Sequence, residues 1–284
     1  MNAGEPSRTA MQVAACRAAH LRFDPPPHLL EDPFAERLLG DEAEALIGSY
    51  APGGPWILEE NRHFLPFRGR FGEDAIAAAH REGTRQLVIL GAGLDSFALR
   101  RAGALADLQV FELDHPATQR WKRARLAALG IALPAGVALV ECDFETTAVA
   151  QALASTSFRR DRPVIVSWMG VVYYLAKDTV RRALAELAGL LAPGSRLVLD
   201  YQLPLEDLPQ RYRDVFAQQS AYLARAGEPQ VNRYRPEQLR AALLEAGFVR
   251  AELPTLESLV ARYFVPLGRS VPIAERFGMA TAWR

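Results

Sequence analysis

The chain of 284 residues lacks the features that several classes of protein need. With two cysteines, Cys16 and Cys142, it cannot build a disulfide framework, and no cluster of cysteine and histidine has the spacing of zinc ligands. Its 33 basic and 33 acidic residues cancel, so no overall field attracts nucleic acid or an anionic membrane. Only Lys122 and Lys177 are lysine, which excludes a lysine-rich binding tail. We therefore expect no metal and no nucleic-acid partner.

Long apolar runs are also missing. No run reaches the length that crosses a bilayer, and residues 1–9 are polar, without the apolar core of a secretion signal. These absences predict a cytoplasmic protein with no membrane partner. Half of the residues are hydrophobic, which is ordinary for a globular protein with a full core. The sequence shows no heptad seam from which an oligomeric state could be inferred.

The first 82 residues favour helices. Apolar residues recur at helical spacing over 9–22 and again over 33–48, on either side of the prolines at 25–27. Asp32 and Pro33 are typical of a helix N-cap and first helical position, so the second helix is expected to begin there. A loop over 50–56 precedes a helix that is expected to run through Phe71. We interpret residues 1–82 as a helical extension or lid.

From Arg85 onward, short apolar runs alternate with helical patterns. The expected strands are 86–90, 108–113, 137–141, 163–168 and 195–200, with helices between them over roughly 94–105, 115–129, 145–155 and 178–191. This alternation predicts an α/β fold with a doubly wound parallel sheet, whose ligand lies at the carboxyl ends of the strands.

A helical stretch breaks the alternation after the fifth strand. We expect residues 205–226 to be helical, within an insertion over roughly 203–235 that can roof the site. A helix then runs from Pro236 to Ala246 and stops at Gly247. Two β-rich segments, 259–267 and 276–283, are expected to close the sheet as a hairpin. The whole chain, 1–284, is predicted to be one domain with its core over 83–284.

The most informative motif is the glycine turn after the first strand. Gly91 allows the chain to turn tightly, and Gly93, without a Cβ, lets the backbone approach a ligand at the start of the next helix. Asp114, at the end of the second strand, is placed to accept hydrogen bonds from both ribose hydroxyls. A dinucleotide fingerprint needs Gly or Ala where this chain has Ser96, and Asp95 puts a negative charge where a pyrophosphate would lie. The turn therefore favours a cationic ligand such as S-adenosylmethionine.

The third strand ends in a second acidic motif, Asp143-Phe144. In a doubly wound fold this position lies beside the base end of a nucleotide, where Asp143 can accept the adenine amino group and Phe144 can pack on the ring. Asp143 can instead simply cap the helix that begins near Glu145. The register of Asp143 with the other two strand ends favours the adenine role.

Five motifs, in order along the chain, resemble those of a known family. They are Ser7-Arg8-Thr9-Ala10, Ala14-Ala15-Cys16-Arg17-Ala18, Asp32-Pro33-Phe34-Ala35, Leu90-Gly91-Ala92-Gly93-Leu94-Asp95-Ser96 and Glu112-Leu113-Asp114-His115-Pro116. On these motifs the chain resembles the leucine carboxyl methyltransferase superfamily, and more narrowly its bacterial branch of S-adenosylmethionine-dependent O-methyltransferases. The resemblance extends from residue 8 to the last strand and implies a class I methyltransferase, or Rossmann-like, sheet.

The resemblance also implies a set of cofactor contacts. Gly91 and Gly93 would lie against the methionine part of S-adenosylmethionine, and Arg68 would pair with its carboxylate through a bidentate contact. Arg70 is close enough in sequence to be the true counterpart, and a surface arginine is the plainer alternative. The candidate cofactor-binding residues are Arg68, Gly91, Ala92, Gly93, Asp95, Asp114, His115, Asp143, Phe144 and Met169.

Two of these candidates need separate interpretations. His115 precedes Pro116 at a helix start, which favours a positioning role over proton transfer. Met169 departs from the family pattern, which often has an acidic residue before Gly170, at a place beside the reacting methyl. Methionine is polarizable and can still pack on the adenosine, so loss of activity does not follow.

The residues do not identify the methyl acceptor or a catalytic side chain. Tyr173, Tyr174 and Tyr201 are candidates for an acceptor pocket because tyrosine combines apolar area with a hydroxyl, although core packing explains them equally well. We expect methyl transfer to a carboxylate or hydroxyl oxygen of a small metabolite, and no general base is evident for a hydroxyl. The alternatives are a non-catalytic S-adenosylmethionine-binding protein and a nicotinamide-dependent oxidoreductase, against which Ser96 and Asp95 argue.

Overall fold

The computed structural model describes residues 7–101, 103–225, 227–268 and 276–284. Within these ranges the helices are α1 (Arg8–Phe23), α2 (Ala35–Leu39), α3 (Ala43–Gly48), α4 (Trp56–Arg81), α5 (Phe97–Arg100), α6 (Pro116–Ala128), α7 (Val149–Leu153), α8 (Lys177–Leu190), α9 (Gln210–Arg225), α10 (Pro236–Glu245) and α11 (Leu256–Tyr263). The strands are β1 (Gln86–Leu90), β2 (Gln109–Asp114), β3 (Val137–Glu141), β4 (Ile165–Trp168), β5 (Arg196–Gln202), β6 (Arg250–Glu252) and β7 (Phe277–Trp283). In this described part, no helix is both long and apolar enough to cross a bilayer.

The N-terminal extension is helical, and its second predicted helix is divided in two. The helix expected over 33–48 becomes α2 and α3, because Gly40 ends α2 with a φ of +69°. Asp32 caps this region, since its Oδ1 accepts the backbone N–H groups of Phe34 and Ala35 at 3.2 and 3.1 Å. The helix itself therefore begins two residues later than the Asp32-Pro33 motif indicated.

Helix α4 is longer than the sequence pattern indicated. It continues past Phe71 to Arg81 because buried apolar residues, among them Ile76 and Ala79, keep the helical spacing. The chain then turns at Gly83, whose φ is +100°, and enters the first strand.

The seven strands of the described chain form one sheet in the order β3-β2-β1-β4-β5-β7-β6. Strands β1 to β5 are parallel, and β7 is antiparallel to both β5 and β6. The strand order reverses at β1, which pairs with β2 on one side and β4 on the other. The predicted doubly wound sheet is confirmed, and its topological switch point lies between β1 and β4.

Both faces of the sheet are buried. Alternate residues of a strand point to opposite faces, so Leu197 and Leu199 of β5 pack with α7, α8 and α10, whereas Val198 packs with α4, α5 and α11. A further apolar cluster, rich in alanine, joins α1 to α2 and α3. Helix α4 thus lies directly on the sheet, at β4 and β5.

One strand prediction is wrong. Residues 259–267 contain the end of α11 and a short 3-10 turn, and the antiparallel partner of β7 is β6. Leu259 and Tyr263 are four residues apart and share a buried helical face, on which Tyr263 packs against Phe67 at 5.3 Å between ring centroids. Thr255 caps this helix by accepting the backbone N–H of Ser258. The strand predicted over 276–283 agrees with β7.

The helical stretch after β5 is joined to the start of α4 by an aromatic cluster. Phe216 and Leu223 are the buried residues of α9. Trp56 stacks on Tyr212 with 5.0 Å between ring centroids and contacts Phe216 at 5.9 Å. This cluster is separate from the two cores of the sheet.

A buried ion pair joins α6 to β2. Lys122, 1% exposed, donates to Glu112, 2% exposed, and to the backbone carbonyl of Asp95 at 2.6 Å. Burial raises the pKa of Glu112, and the ammonium of Lys122 opposes that rise. The pair therefore holds the second strand, α6 and the loop after the glycine turn in one arrangement.

Removing the charge of Lys122 should destabilise the fold far more than removing that of Lys177. Lys122→Met leaves Glu112 buried without its counter-charge, which lowers the free energy of unfolding by about 3–5 kcal/mol. Lys177 is exposed, and Lys177→Met is expected to change that free energy by at most about 1 kcal/mol. Urea unfolding followed by circular dichroism measures both. Equal midpoints for the two variants would contradict the structural role of the pair.

Candidate functional site

A cavity of about 670 Å³ opens at the carboxyl ends of the parallel strands. The segments that follow β1, β2, β3 and β4 form its floor, and α1, α4 and residues 227–230 form its walls. This is where a doubly wound sheet binds its ligand. The volume lies within the range of small-molecule sites, roughly 300–1,000 Å³.

The structure brings most of the predicted site residues together. Those that line the cavity are Arg68, Gly91, Ala92, Gly93, Asp95, Asp114, His115, Asp143, Phe144, Met169, Tyr173 and Tyr174. Tyr201 does not line it. Tyr201 is 2% exposed on the opposite face of the sheet, where its ring lies against Gly278. Because neighbouring strand residues face opposite sides, Asp200 is the residue that points toward α4.

The glycine turn is required by the packing of the protein itself. Gly91 and Gly93 have φ values of +69° and +53°, which favour glycine. A Cβ on Gly91 would overlap the side chain of Val171, and one on Gly93 would lie 3.1 Å from the Cβ of Ala10. We expected a ligand to approach where a side chain on Gly93 would lie, but α1 occupies that space. The N-terminal extension packs directly on the turn.

Asp114 is held in one orientation at the end of β2. Its Oδ2 accepts the backbone N–H of Gly93 at 2.6 Å, and its Oδ1 accepts that of His115 at 2.7 Å. Burial raises the pKa of Asp114, and these two hydrogen bonds oppose the rise. A carboxylate has about four lone-pair sites, so each oxygen can accept a further hydrogen bond from a ligand hydroxyl.

Three other cavity residues have a local structural role. His115 caps α6, since its Nδ1 accepts the N–H of Ala117 at 3.2 Å. Asp95 accepts the N–H of Phe97 at the start of α5, at 2.6 Å. Asp143 accepts the N–H of Glu145 at 3.0 Å within the turn after β3. The next helix, α7, begins only at Val149 with Ala148 as its N-cap, so Asp143 does not take the helix-capping role that the sequence left as an alternative.

Arg68, and not Arg70, faces the cavity. Its Nη1 donates to the hydroxyl of Tyr173 at 2.8 Å and lies 3.4 Å from Oδ2 of Asp200. Arg70 pairs with Asp74 outside the cavity, at 2.8 Å. Burial raises the pKa of Asp200, and the Arg68 guanidinium opposes that rise.

The guanidinium of Arg68 lies directly over Gly170. Gly170 has a φ of +79°, and a Cβ there would lie 2.9 Å from both Nη1 and Nη2 of Arg68. The structure gives the Nε and Nη2 atoms of Arg68 no hydrogen bond among the described residues. This edge of the guanidinium is therefore free to bind a carboxylate bidentately.

One face of α4 runs along the cavity. The residues on it are Asn61, Leu65, Arg68, Gly69, Gly72, Glu73 and Ile76. Apart from the adjacent pairs at 68–69 and 72–73, they recur at intervals of three or four, which is the spacing of one helical face. Met169 lies on this side, with its side chain 3.7 Å from the position of a Cβ on Gly72. The cavity therefore extends along α4 over these residues.

Sequence reasoning missed many lining residues, among them the polar residues Asn61, Gln219, Glu228 and Arg276. Glu228 accepts the hydroxyl hydrogen of Ser7 at 2.7 Å and the backbone N–H of Thr9 at 3.0 Å. It thereby ties the start of α1 to the segment after α9. The residues it joins are 219 or more positions apart, so no local pattern pointed to them.

The cavity contains no group of acidic, cysteine and histidine side chains arranged to bind a metal, within the residues that the structure describes. Cys142 lines the cavity, and burial raises the pKa of its thiol to about 12. It is therefore protonated at neutral pH and is a poor nucleophile.

Comparison with known proteins identifies relatives of this chain. The family model described as "Leucine carboxyl methyltransferase" matches residues 10–188. A protein of Bacillus subtilis, "Putative S-adenosyl-L-methionine-dependent methyltransferase YktD", is 30% identical over 223 residues, which cover 71% of this chain and 72% of that protein. A Mycolicibacterium paratuberculosis protein with the same description is 34% identical over 205 residues, 68% of this chain. The alignment spans 64% of that relative, slightly under two thirds of its length.

Two solved structures share the fold over nearly the whole chain. One, from Thermobifida fusca and described as a "putative methyltransferase", has a TM-score of 0.64 at 18% identity and covers 100% of this chain and 96% of its own. The other, described as a "duf574 family protein" from Streptomyces avermitilis, has a TM-score of 0.62 at 16% identity and covers 99% of this chain and 98% of its own. At such low identity these likenesses concern the fold, and they agree with the class I sheet that the sequence predicted.

Proposed function

The chain belongs to the leucine carboxyl methyltransferase family, and from this premise we propose that it methylates a carboxylate or hydroxyl oxygen of a small metabolite, with a carboxylate favoured. It is an S-adenosylmethionine-dependent methyltransferase, and the oxidoreductase alternative finds no support among its relatives. The identity of the acceptor is the part that we infer from the cavity.

The cavity residues fit S-adenosylmethionine in chemistry and order. Asp114 can accept from the ribose hydroxyls, and Asp143 with Phe144 can hold the adenine. The free Nε and Nη2 edge of Arg68 suits the carboxylate of the amino-acid part. Bound S-adenosylmethionine supplies a methyl group on a positively charged sulfur, which an oxygen nucleophile can attack in line.

One observation favours a carboxylate acceptor. In the described structure, almost every carboxylate that lines the cavity is already hydrogen-bonded to the protein: Asp95, Asp114 and Asp143 to backbone N–H groups, Glu73 to Arg100 and Arg101, and Glu228 to Ser7 and Thr9. The remaining one, Glu145, is exposed at the Asp143 end. The other five carboxylates are therefore engaged in holding the cavity walls together.

The tyrosines and the histidine that line the cavity do not supply a general base either. Burial raises the pKa values of Tyr173 and Tyr174, so their phenolates are not populated at neutral pH. His115 uses Nδ1 to cap α6 beside Asp114. A hydroxyl acceptor would need a base to take its proton. A carboxylate is ionised at neutral pH and needs only to be positioned beside the methyl group. Such positioning can itself lower the activation barrier for methyl transfer by about 7–11 kcal/mol.

We propose that residues 1–284 act as one methyltransferase domain, with 1–82 and the insertion over about 203–235 closing a core formed by 83–284. The support is that α1 packs on the glycine turn through Ala10 and that Glu228 joins it to the segment after α9. Both segments wall the cavity, so both help to exclude water from the reacting atoms.

Removing the carboxylate of Asp114 should weaken cofactor binding. Asp114→Ala deletes the acceptor of two charge-assisted hydrogen bonds from ribose, each worth about 1.5–3 kcal/mol, so the Kd for S-adenosylmethionine is expected to rise at least tenfold by calorimetry. Asp161→Ala is the matched control, because Asp161 pairs with Arg159 at the surface. Unchanged affinity of Asp114→Ala for S-adenosylmethionine would contradict the assignment of Asp114 to the ribose.

The methylated product should be a base-labile ester. The protein is incubated with S-adenosylmethionine carrying a tritiated methyl group and with fractionated bacterial metabolites, and the labelled products are then treated with alkali. An ester releases volatile labelled methanol, whereas a methyl ether keeps its label. Label that resists alkali would contradict the carboxylate acceptor. Cofactor binding without transfer to any fraction would favour the non-catalytic alternative.

A further inference from the structure

We propose that the end of the cavity near Asn61 is a recognition subsite for an uncharged carbonyl oxygen on the distal part of the methyl acceptor. This inference rests on the proposed function, since it describes the molecule that receives the methyl group. The subsite is built from Asn61 of α4, Gln219 of α9 and Arg276 at the start of the segment that leads into β7.

Arg276 is a rigid, buried centre for this subsite. It is 5% exposed, and its guanidinium carbon lies 4.4 Å from the ring centroid of Phe216 and 4.6 Å from that of Phe277. Its Nη2 donates to Oε2 of Glu60 at 2.6 Å, and its Nε donates to Oε1 at 3.3 Å. Glu60 is itself fully buried. The positive charge of Arg276 is therefore neutralised within the protein.

The guanidinium orients two carboxamides that line the cavity. Nη2 of Arg276 donates to Oδ1 of Asn61 at 2.6 Å, and Nη1 donates to Oε1 of Gln219 at 2.5 Å. A guanidinium has no acceptor, so the oxygen of each amide must face it and the NH2 group of each must face away. The described residues offer no hydrogen-bond acceptor to either NH2 group. Two oriented NH2 groups, on residues that line the cavity, are thus left without a partner in the described structure.

This arrangement selects the ligand by chemistry. N–H donors bind an oxygen with lone pairs, which a ketone, amide or ester carbonyl provides. An anion is a poorer fit because Nε, Nη1 and Nη2 of Arg276 already donate to Glu60, Gln219 and Asn61, so Arg276, unlike Arg68, has no free edge for a bidentate contact with a carboxylate. The subsite therefore suits a neutral carbonyl better than a carboxylate.

Helix α4 gives the scale of the acceptor. Asn61 and Arg68 are seven residues apart on the same helical face, which corresponds to about 10 Å. Because Arg68 is assigned to the carboxylate of the cofactor, the acceptor carboxylate lies beside the cofactor's methionine part, and the acceptor runs from there toward Asn61 over at most about this distance. Leu65 lies between them, and Leu223 and Phe277 add apolar surface to the cavity. An extended chain of roughly eight bonds covers this distance. The acceptor is thus a carboxylic acid with an apolar middle and a carbonyl near its far end.

The test uses two probes and the protein loaded with S-adenosylhomocysteine. Decanoic acid and its 9-keto analogue have the same length and the same carboxylate, and differ only in the distal carbonyl. Calorimetry is expected to show that the keto acid binds at least tenfold more tightly. Gln219→Leu and Asn61→Leu should each reduce this preference to less than threefold. Gln218→Leu is the matched control, because Gln218 is the exposed neighbour on the same helix, and it should keep the preference.

Equal affinity for the two acids, no binding of the keto acid, or a preference that survives both substitutions would overturn the subsite. Decanedioic acid adds a second check: if it binds more tightly than the keto acid, the subsite recognises an anion and the inference is wrong. Methyl transfer is measured separately with S-adenosylmethionine. A keto acid that binds with the expected preference but is not methylated would contradict the proposed function and leave the subsite intact.

Discussion

The buried contact between Arg68 and Asp200 is the interaction on which the cavity depends. Both side chains are almost fully buried, and the contact joins α4 to the end of β5 across the sheet face. Separating them would leave a charge buried without its partner, which costs about 3–5 kcal/mol. Because α4 cannot move away without that cost, its whole cavity face is held in register with the strand ends. Gly170 contributes by leaving room for the guanidinium.

The walls on the other side depend on contacts between segments far apart in sequence. Helix α1 reaches the glycine turn through Ala10, and Arg17 donates to the carbonyl of Leu94 at 2.7 Å while pairing with Asp32 at 2.8 Å. Glu228 then ties the start of α1 to the segment after α9. The strand ends form the floor of the cavity, and the extension and the segment after α9 form its walls, so no one of them forms the cavity alone.

The sequence predicted what depends on local pattern. We could predict the strand ends, the turn at Gly91 and the acidic residue Asp114 because each lies next to an apolar run that is clearly a strand. The error over 259–267 arose because a short apolar segment fits a strand or a buried helix, and only packing on α4 decides between them. Tyr201 was misplaced by a single position, since the pleat sends it to one face of the sheet and Asp200 to the other.

The remaining site residues could not be predicted, because tertiary structure alone brings them together. Asn61, Gln219 and Arg276 come from α4, α9 and the approach to β7, and nothing in their neighbours marks them as functional. The same holds for the choice between Arg68 and Arg70, which are two residues apart and differ only in which side of α4 they occupy. Family resemblance supplied the cofactor, and the hydrogen bonds that already engage the described cavity carboxylates favoured a carboxylate over a hydroxyl acceptor.

A crystal structure of the protein with S-adenosylhomocysteine tests the central claim most directly, namely that the strand ends and α4 together orient the cofactor. We predict that both ribose hydroxyls lie within hydrogen-bond distance of the Asp114 carboxylate, and that the amino-acid carboxylate lies on the Nε and Nη2 edge of Arg68. A ligand whose ribose contacts neither oxygen of Asp114, or whose carboxylate lies away from Arg68, would contradict this account.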